Sequence, residues 1–333
     1  MARRRPWQVL LAVLLALGLC VGVAGCGGDS TEEEDPNAVQ DQDAKDAAPT
    51  GPLSPIPEAA RFAGEIGRRT YPRAAAPETP PLLRWDFSGD DTYAYDLRMQ
   101  NETDSQLPAG GRRQIKQLAE GTLLLRSQGD RTATLVLKVE KMKVDGVGPH
   151  QMPSRFPPMS VPGVREDGSM GTGTGPANLP LRDLFPLPAK PLRVGETVSR
   201  PASMPFNAMG STLKVEGTSK VTLTGYVTID GHKCARLDTD IDIAKVKAPE
   251  TMKGTYKCVT RGKCVAYFDI EDRRFVSVEL ALSMGIHIEA PMPAANVKGA
   301  KMPKGMPDKF LMSMKMDSLA TLTHNPRKAG ADY

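Results

Sequence analysis

The sequence predicts a mainly β protein: a curved antiparallel sheet, half-barrel or sandwich, carried behind a disordered N-terminal tether. Three observations support this. Apolar and polar residues alternate over most of the stretch from residue 82 to residue 325, the period of a strand with one buried face. Turn residues separate the alternating runs, Asp230-Gly231 being the clearest. Segments with helical periodicity are few.

Residues 1–25 have three zones. Arg3, Arg4 and Arg5 make a positive start, Val9 to Gly25 is an uncharged run rich in Leu, Val and Ala, and the run ends in small residues. This is the pattern of a secretory signal. The run is short for a membrane span, and the acidic Glu32, Glu33, Glu34 and Asp35 follow it where a stop-transfer signal would be basic. Val23-Ala24-Gly25-Cys26 resembles the lipobox of bacterial lipoproteins. That resemblance implies cleavage after Gly25 and a diacylglyceryl group on the Cys26 thiol. It also implies membrane anchoring through the acyl chains, each buried methylene adding about 0.8 kcal/mol. Gly27 follows the lipidated position and not the Asp that retains such proteins at the inner membrane. The expected location is the cell envelope, at the outer membrane if the host has two.

Residues 26–81 read as the tether. They are rich in Pro, Ala, Asp and Glu and poor in aromatic and β-branched residues, a composition that buries too little apolar area to offset the entropy of ordering. As a coil the segment spans roughly 40 Å. Glu58 to Arg69 can form a short helix with Phe62 and Ile66 on one side.

The β-rich domain follows at 82–325. Asp91 to Met99 is the first alternating run; Gly121 to Arg126 and Thr132 to Val144 come next, joined by a turn at Gly129-Asp130. A Pro/Gly-rich break at 148–191 interrupts, with a short helix or turn near Leu179 to Leu184. Strands resume with Ser211 to Val227, which turns at Asp230-Gly231 into His232 to Ile243. Thr255 to Ile270 turns through Glu271 to Arg274 into Phe275 to Ile288. A loop from Ala290 to Pro307 precedes the last strand, Phe310 to Thr323, and residues 326–333 form a tail. Two sheet-forming halves on either side of the break share one core in this reading.

Four phrases resemble a family of uncharacterised bacterial lipoprotein and secreted domains over about residues 85–325. They are Trp85-Asp-Phe with Tyr93-Ala-Tyr95, Phe185 to Thr197, Gly225 to Ala235, and Ala266 to Ser277. The resemblance implies a β-rich envelope domain and no catalytic residue.

Charge gives little direction. The net charge is +4, and Arg3, Arg4 and Arg5 account for most of it. No basic run is interleaved with aromatics, so a nucleic-acid partner is not expected. Cys234, Cys258 and Cys264 would enter a compartment that permits disulfides. If Thr260-Arg261-Gly262 is a hairpin loop, Cys258 and Cys264 face each other at a Cα separation of about 5.5 Å. That pairing is favoured, and pairing of Cys234 with either remains open. His232 with the three cysteines lacks the spacing of a usual zinc module. Asp238, Asp240 and Asp242 share a strand face without a calcium loop. Gly168 to Gly175 lacks the setting of a phosphate loop, and Ser169 is not in a nucleophile elbow. No His sits in a metalloprotease or triad pattern, so neither an enzyme, a cofactor nor a dedicated metal site is expected.

Methionine is the unusual residue, with 16 in the chain. Phe310, Met312, Met314 and Met316 alternate with Leu311, Ser313, Lys315 and Asp317, which sets three thioethers on one strand face. Thioethers suit copper(I), and His287 lies not far upstream. They also make an adaptable apolar lining, which is the favoured reading. Phe310, Met312, Met314 and Met316 are therefore the expected lining of a pocket for a hydrophobic ligand, a lipid or another envelope component. The alternatives are an assembly module that uses a sheet edge, and a copper-binding protein.

Overall fold

The computed structural model describes residues 55–106, 111–146, 156–169, 185, 187–208, 211–248, 253–291 and 309–329. Gly25, Cys26 and the first part of the tether lie outside the described residues, as do Leu179 to Leu184 and most of the loop from Ala290 to Pro307.

Ten strands follow in order: β1 (Thr92–Gln106), β2 (Arg112–Ser127), β3 (Thr132–Val144), β4 (Met159–Arg165), β5 (Thr197–Ala208), β6 (Ser211–Ile229), β7 (His232–Lys247), β8 (Thr255–Asp269), β9 (Arg274–Pro291) and β10 (Lys309–His324). Short 3₁₀ turns lie at Arg61–Gly64 and Pro326–Lys328. The strands form one sheet in the order β4-β3-β2-β1-β10-β9-β8-β7-β6-β5, antiparallel throughout and not closed. The mainly β class holds, as one hydrogen-bonded sheet and not two. The two halves of the sequence join where β1 pairs with β10, Leu97 opposite Leu322.

The hairpins follow their sequence signals. Asp230 and Gly231 both have positive φ, 50° and 87°, as a two-residue turn of the mirror-image type requires. Two strands lie where alternation was not read. β4 carries Pro162, and β5 carries Pro201 and Pro205. Proline lacks a ladder donor, so it suits the edge of a sheet, and β4 and β5 are the edges.

On one face, here the core face, a single apolar cluster draws residues from all ten strands. One end of this face is plugged by coil. Trp85 has its ring 5.2 Å from Tyr93, 5.4 Å from Phe185 and 5.4 Å from Phe275, centroid to centroid. Arg84 Nη1 donates to the Pro188 carbonyl at 2.7 Å, which knits the two covering segments together.

The opposite face corrects the tether. From Pro55 onward the chain lies on the sheet as a strap. Phe62 and Ile66 enter a second apolar cluster with Cys234, Val265, Tyr267 and Ala281. The Arg61 amide donates to Ser283 Oγ at 2.9 Å, and the Arg61 guanidinium pairs with Glu102 and Asp317. Gly285 permits the approach, because a Cβ there would overlap the Pro55 carbonyl. The two apolar residues that the sequence sets on one side are enough to anchor a segment whose average composition is that of a spacer. At the other end of the chain Lys328 Nζ reaches Asp96 Oδ1 at 2.9 Å and Glu140 Oε1 at 3.3 Å, so the start of the tail is docked as well.

Candidate functional site

The core face can be followed row by row through the strand register. Met316 lies opposite Met284, which lies opposite Thr260; Met314 lies opposite Ile286, then Cys258; Met312 lies opposite Ile288, then Tyr256. The three methionines are 2%, 5% and 7% exposed, so the alternation read from the sequence does turn them inward. Phe310 is partly buried against the same cluster. Around them the wall is aliphatic or thioether on β9, carries Cys258, Thr260 and Tyr256 on β8, and is polar on β1, where Thr103 and Ser105 lie opposite Met316 and Met314. The aromatic plug of Trp85, Phe87 and Phe185 packs at the far end of the strands, near Tyr93 and Phe275. The face therefore has an aromatic end and a methionine end.

Between the two ends the lining turns polar. One row runs Gln117, Asn101, Ser318, Leu282, Gly262, Ile241, Ser219. Thr239 lies one row nearer the aromatic end, opposite Cys264, and Thr260 one row nearer the methionine end, opposite Ile243. Ser219 and Thr239 are 0% and 2% exposed. No signal in the sequence marks these positions, because a Ser or Thr on the buried face of a strand reads as an ordinary break in alternation.

The expected Cys258–Cys264 disulfide is absent, and all three cysteines are thiols. Thr260, Arg261 and Gly262 are mid-strand residues of β8 and not a loop. Cys258 and Cys264 are six residues apart on one extended strand, about 20 Å at strand rise. Gly262 is there for packing, since a Cβ would overlap the Leu282 side chain. Cys234 belongs to the cluster on the opposite face. Burial pushes the Cys234 and Cys258 thiols up to about 12, which leaves them protonated and unreactive. His287, the candidate partner for a copper site, hydrogen-bonds Ser313 across strands, Nδ1 to Oγ 2.9 Å. Ser313 alternates with Met312 and Met314, so His287 stands on the other face.

A polar cluster that the sequence reading missed closes the β7–β8–β9 end. Asp269 is fully buried. Its Oδ1 accepts the amides of Glu271 and Asp272 at 3.0 and 3.2 Å, and its Oδ2 is 2.8 Å from His232 Nδ1. Asp272 Oδ2 is 3.6 Å from that nitrogen and 2.6 Å from Arg274 Nη2. Arg274 Nη1 is 2.7 Å from His324 Nδ1. Burial, and then the Arg274 charge, holds the His324 imidazole down at about 4. His232, Asp269 and Asp272 have the donor atoms of a metal site within 4.8 Å of one another. The Arg274 guanidinium already supplies the positive charge beside both carboxylates, so a divalent ion there would meet a fixed cation. The cluster is built as a hairpin clasp: the β7–β8 register sets Cys234 opposite Asp269, and the two turns bring the charges together.

No family model matches the chain, and no curated relative matches it. Two solved structures are similar to it at low identity. DynF from the dynemicin biosynthesis pathway of Micromonospora chersina is 11% identical, over 76% of this chain and 92% of that one, with a TM-score of 0.15. A DUF1329 family protein from Desulfovibrio piger is 12% identical, over 74% of this chain and 89% of that one, with a TM-score of 0.11. Likeness at these scores transfers neither activity nor ligand, and the functional reading rests on the chain's own residues.

Proposed function

We propose that this is a non-enzymatic lipoprotein of the cell envelope, anchored through Cys26, whose β-domain holds a hydrophobic ligand at the methionine end of its core face. The observation that carries the reading is the asymmetry of that face. Bulky aromatic rings fill one end, whereas the other is lined by Met312, Met314, Met316, Ile286 and Ile288. Thioethers on unbranched side chains repack around guests of varied shape. Pairing through a sheet edge is the weaker reading, because Pro201 and Pro205 are an even number of residues apart and remove donors along the same side of edge strand β5.

Native mass spectrometry of the full chain, extracted from its own membranes, tests this. The expected result is a lipid adduct that Met314→Gln removes while the far-ultraviolet spectrum of the domain is kept. A chain that emerges empty at every detergent concentration would refute ligand binding.

A further inference from the structure

The wall between the aromatic and methionine ends carries polar atoms with nothing to bond. Ser219 Oγ, Thr239 Oγ1 and Thr260 Oγ1 are buried, and each lacks a hydrogen-bond partner among the described residues. Gln117 Oε1 is in the same condition on β2, in the row of Ser219. All four project from the core face, since each alternates in step with apolar members of that cluster: Ser219 with Val221, Thr239 with Leu237 and Ile241, Thr260 with Cys258, Gln117 with Leu123 and Leu125. Such atoms are rare in folded proteins, and a group of them calls for an explanation. Ser219 is diagonal to Thr239 across one strand pair, a separation of about 7–8 Å. Along the strand direction, Thr239 and Thr260 lie two rows apart, about 13 Å. The hydroxyls thus form a belt on the wall between the methionine end and the aromatic plug.

Building on the ligand-binding reading above, we propose that the ligand is a long-chain lipid with a hydrogen-bonding group part-way along the chain, a hydroxyl or an ester carbonyl. The apolar part lies against Met312, Met314 and Met316 and passes Thr260, and the polar group reaches the diagonal pair Ser219 and Thr239. A hydroxyl suits the belt, because it both donates and accepts and the belt offers both roles. A plain acyl chain would leave the belt unpaired and so should bind less well. Ordered water could satisfy the same atoms, and the test separates that case from the proposal.

The full chain is incubated with equal amounts of stearate and 12-hydroxystearate. Native mass spectrometry then reads the bound ratio directly, since the two differ by one oxygen. The wild type should hold the hydroxylated chain over stearate by about tenfold, the size of one neutral hydrogen bond. The double variant Ser219→Ala, Thr239→Val should bring the ratio close to one while still binding stearate. Thr239→Ser keeps the hydroxyl and should keep the preference, which controls for disturbed packing. Equal binding of both acids by the wild type, or a preference unchanged in the double variant, would overturn the belt and leave the methionine-end reading standing. If neither acid binds the wild type, the ligand-binding reading itself falls and the belt with it.

Discussion

Acid should weaken this fold through one imidazole. His324 ends β10, packs edge-on to Tyr95 at 5.6 Å and faces Arg274. Its burial and the adjacent guanidinium hold it at about 4, against 6.5 for an ordinary histidine. A depressed folded-state value means that the unfolded chain takes up the proton first. The contribution is therefore intact above 6.5 and is lost as the pH falls through the window from 6.5 to about 4. Between pH 7 and pH 5, full linkage for that shift removes about 2 kcal/mol. The ring is only partly buried, and solvent screening brings the expected loss to about 1 kcal/mol. Urea unfolding at the two pH values measures it. The wild type should lose about 1 kcal/mol more than His324→Gln, whose amide cannot titrate. An identical loss in both proteins would show that His324 is not held neutral by Arg274 and burial.

Four further outcomes can be measured, three on the fold and one on the proposed anchor. Gly285→Ala drives a methyl into the Pro55 carbonyl and should lower stability by about 1–3 kcal/mol through displacement of the strap, read by urea unfolding. Phe62→Ala empties a buried site in the second cluster and should lower stability by about 3 kcal/mol, whereas a spacer residue would change nothing. Reduction should leave the migration and the melting temperature of the domain unchanged, and Cys234 and Cys258 should react with iodoacetamide only once urea unfolds the chain; a protected disulfide after denaturation would contradict the three thiols. Cys26→Ser should move the protein from the membrane fraction to the soluble fraction, and retention in the membrane would refute the anchor.

The strands that the sequence announces are those whose burial is one-sided and whose turns have their own chemistry. β6 and β7 are legible because Asp230-Gly231 dictates the turn, with Val221 and Leu223 in step before it and Leu237, Ile241 and Ile243 in step after it. β10 is legible because Met312, Met314 and Met316 alternate with polar residues. β4 and β5 are not, since Pro162, Pro201 and Pro205 look like breakers until their place at the sheet edges is known. Gly262 misleads for a related reason: a glycine that makes room for Leu282 is indistinguishable in sequence from a turn glycine. The Asp269 clasp is hidden in the sequence because His232, Asp272 and His324 are brought together by pairing across the four neighbouring strands β7 to β10, not by spacing along one. Set side by side, the β6–β7 and β8–β9 turns place the Asp269, Asp272 and Arg274 charges beside His232.

The strap changes what the sheet can offer to a partner. Phe62 and Ile66 occupy the face opposite the methionines, and Arg61 joins Ser283, Asp317 and Glu102 across β9, β10 and β1. Ser283 and Asp317 are themselves buried and hydrogen-bonded to each other, so lifting the strap would take the Arg61 charge from a buried carboxylate and the Arg61 amide from the hydroxyl, an unfavourable exchange in a desolvated place. Those interactions fix the strap, and with it the side of the sheet on which the chain arrives from its N-terminal segment. The core face of β8, β9 and β10 is left to Met312, Met314, Met316 and their aliphatic neighbours. Strap docking and the proposed ligand holding would use the same three strands without competing, because alternate residues of each strand point to opposite sides.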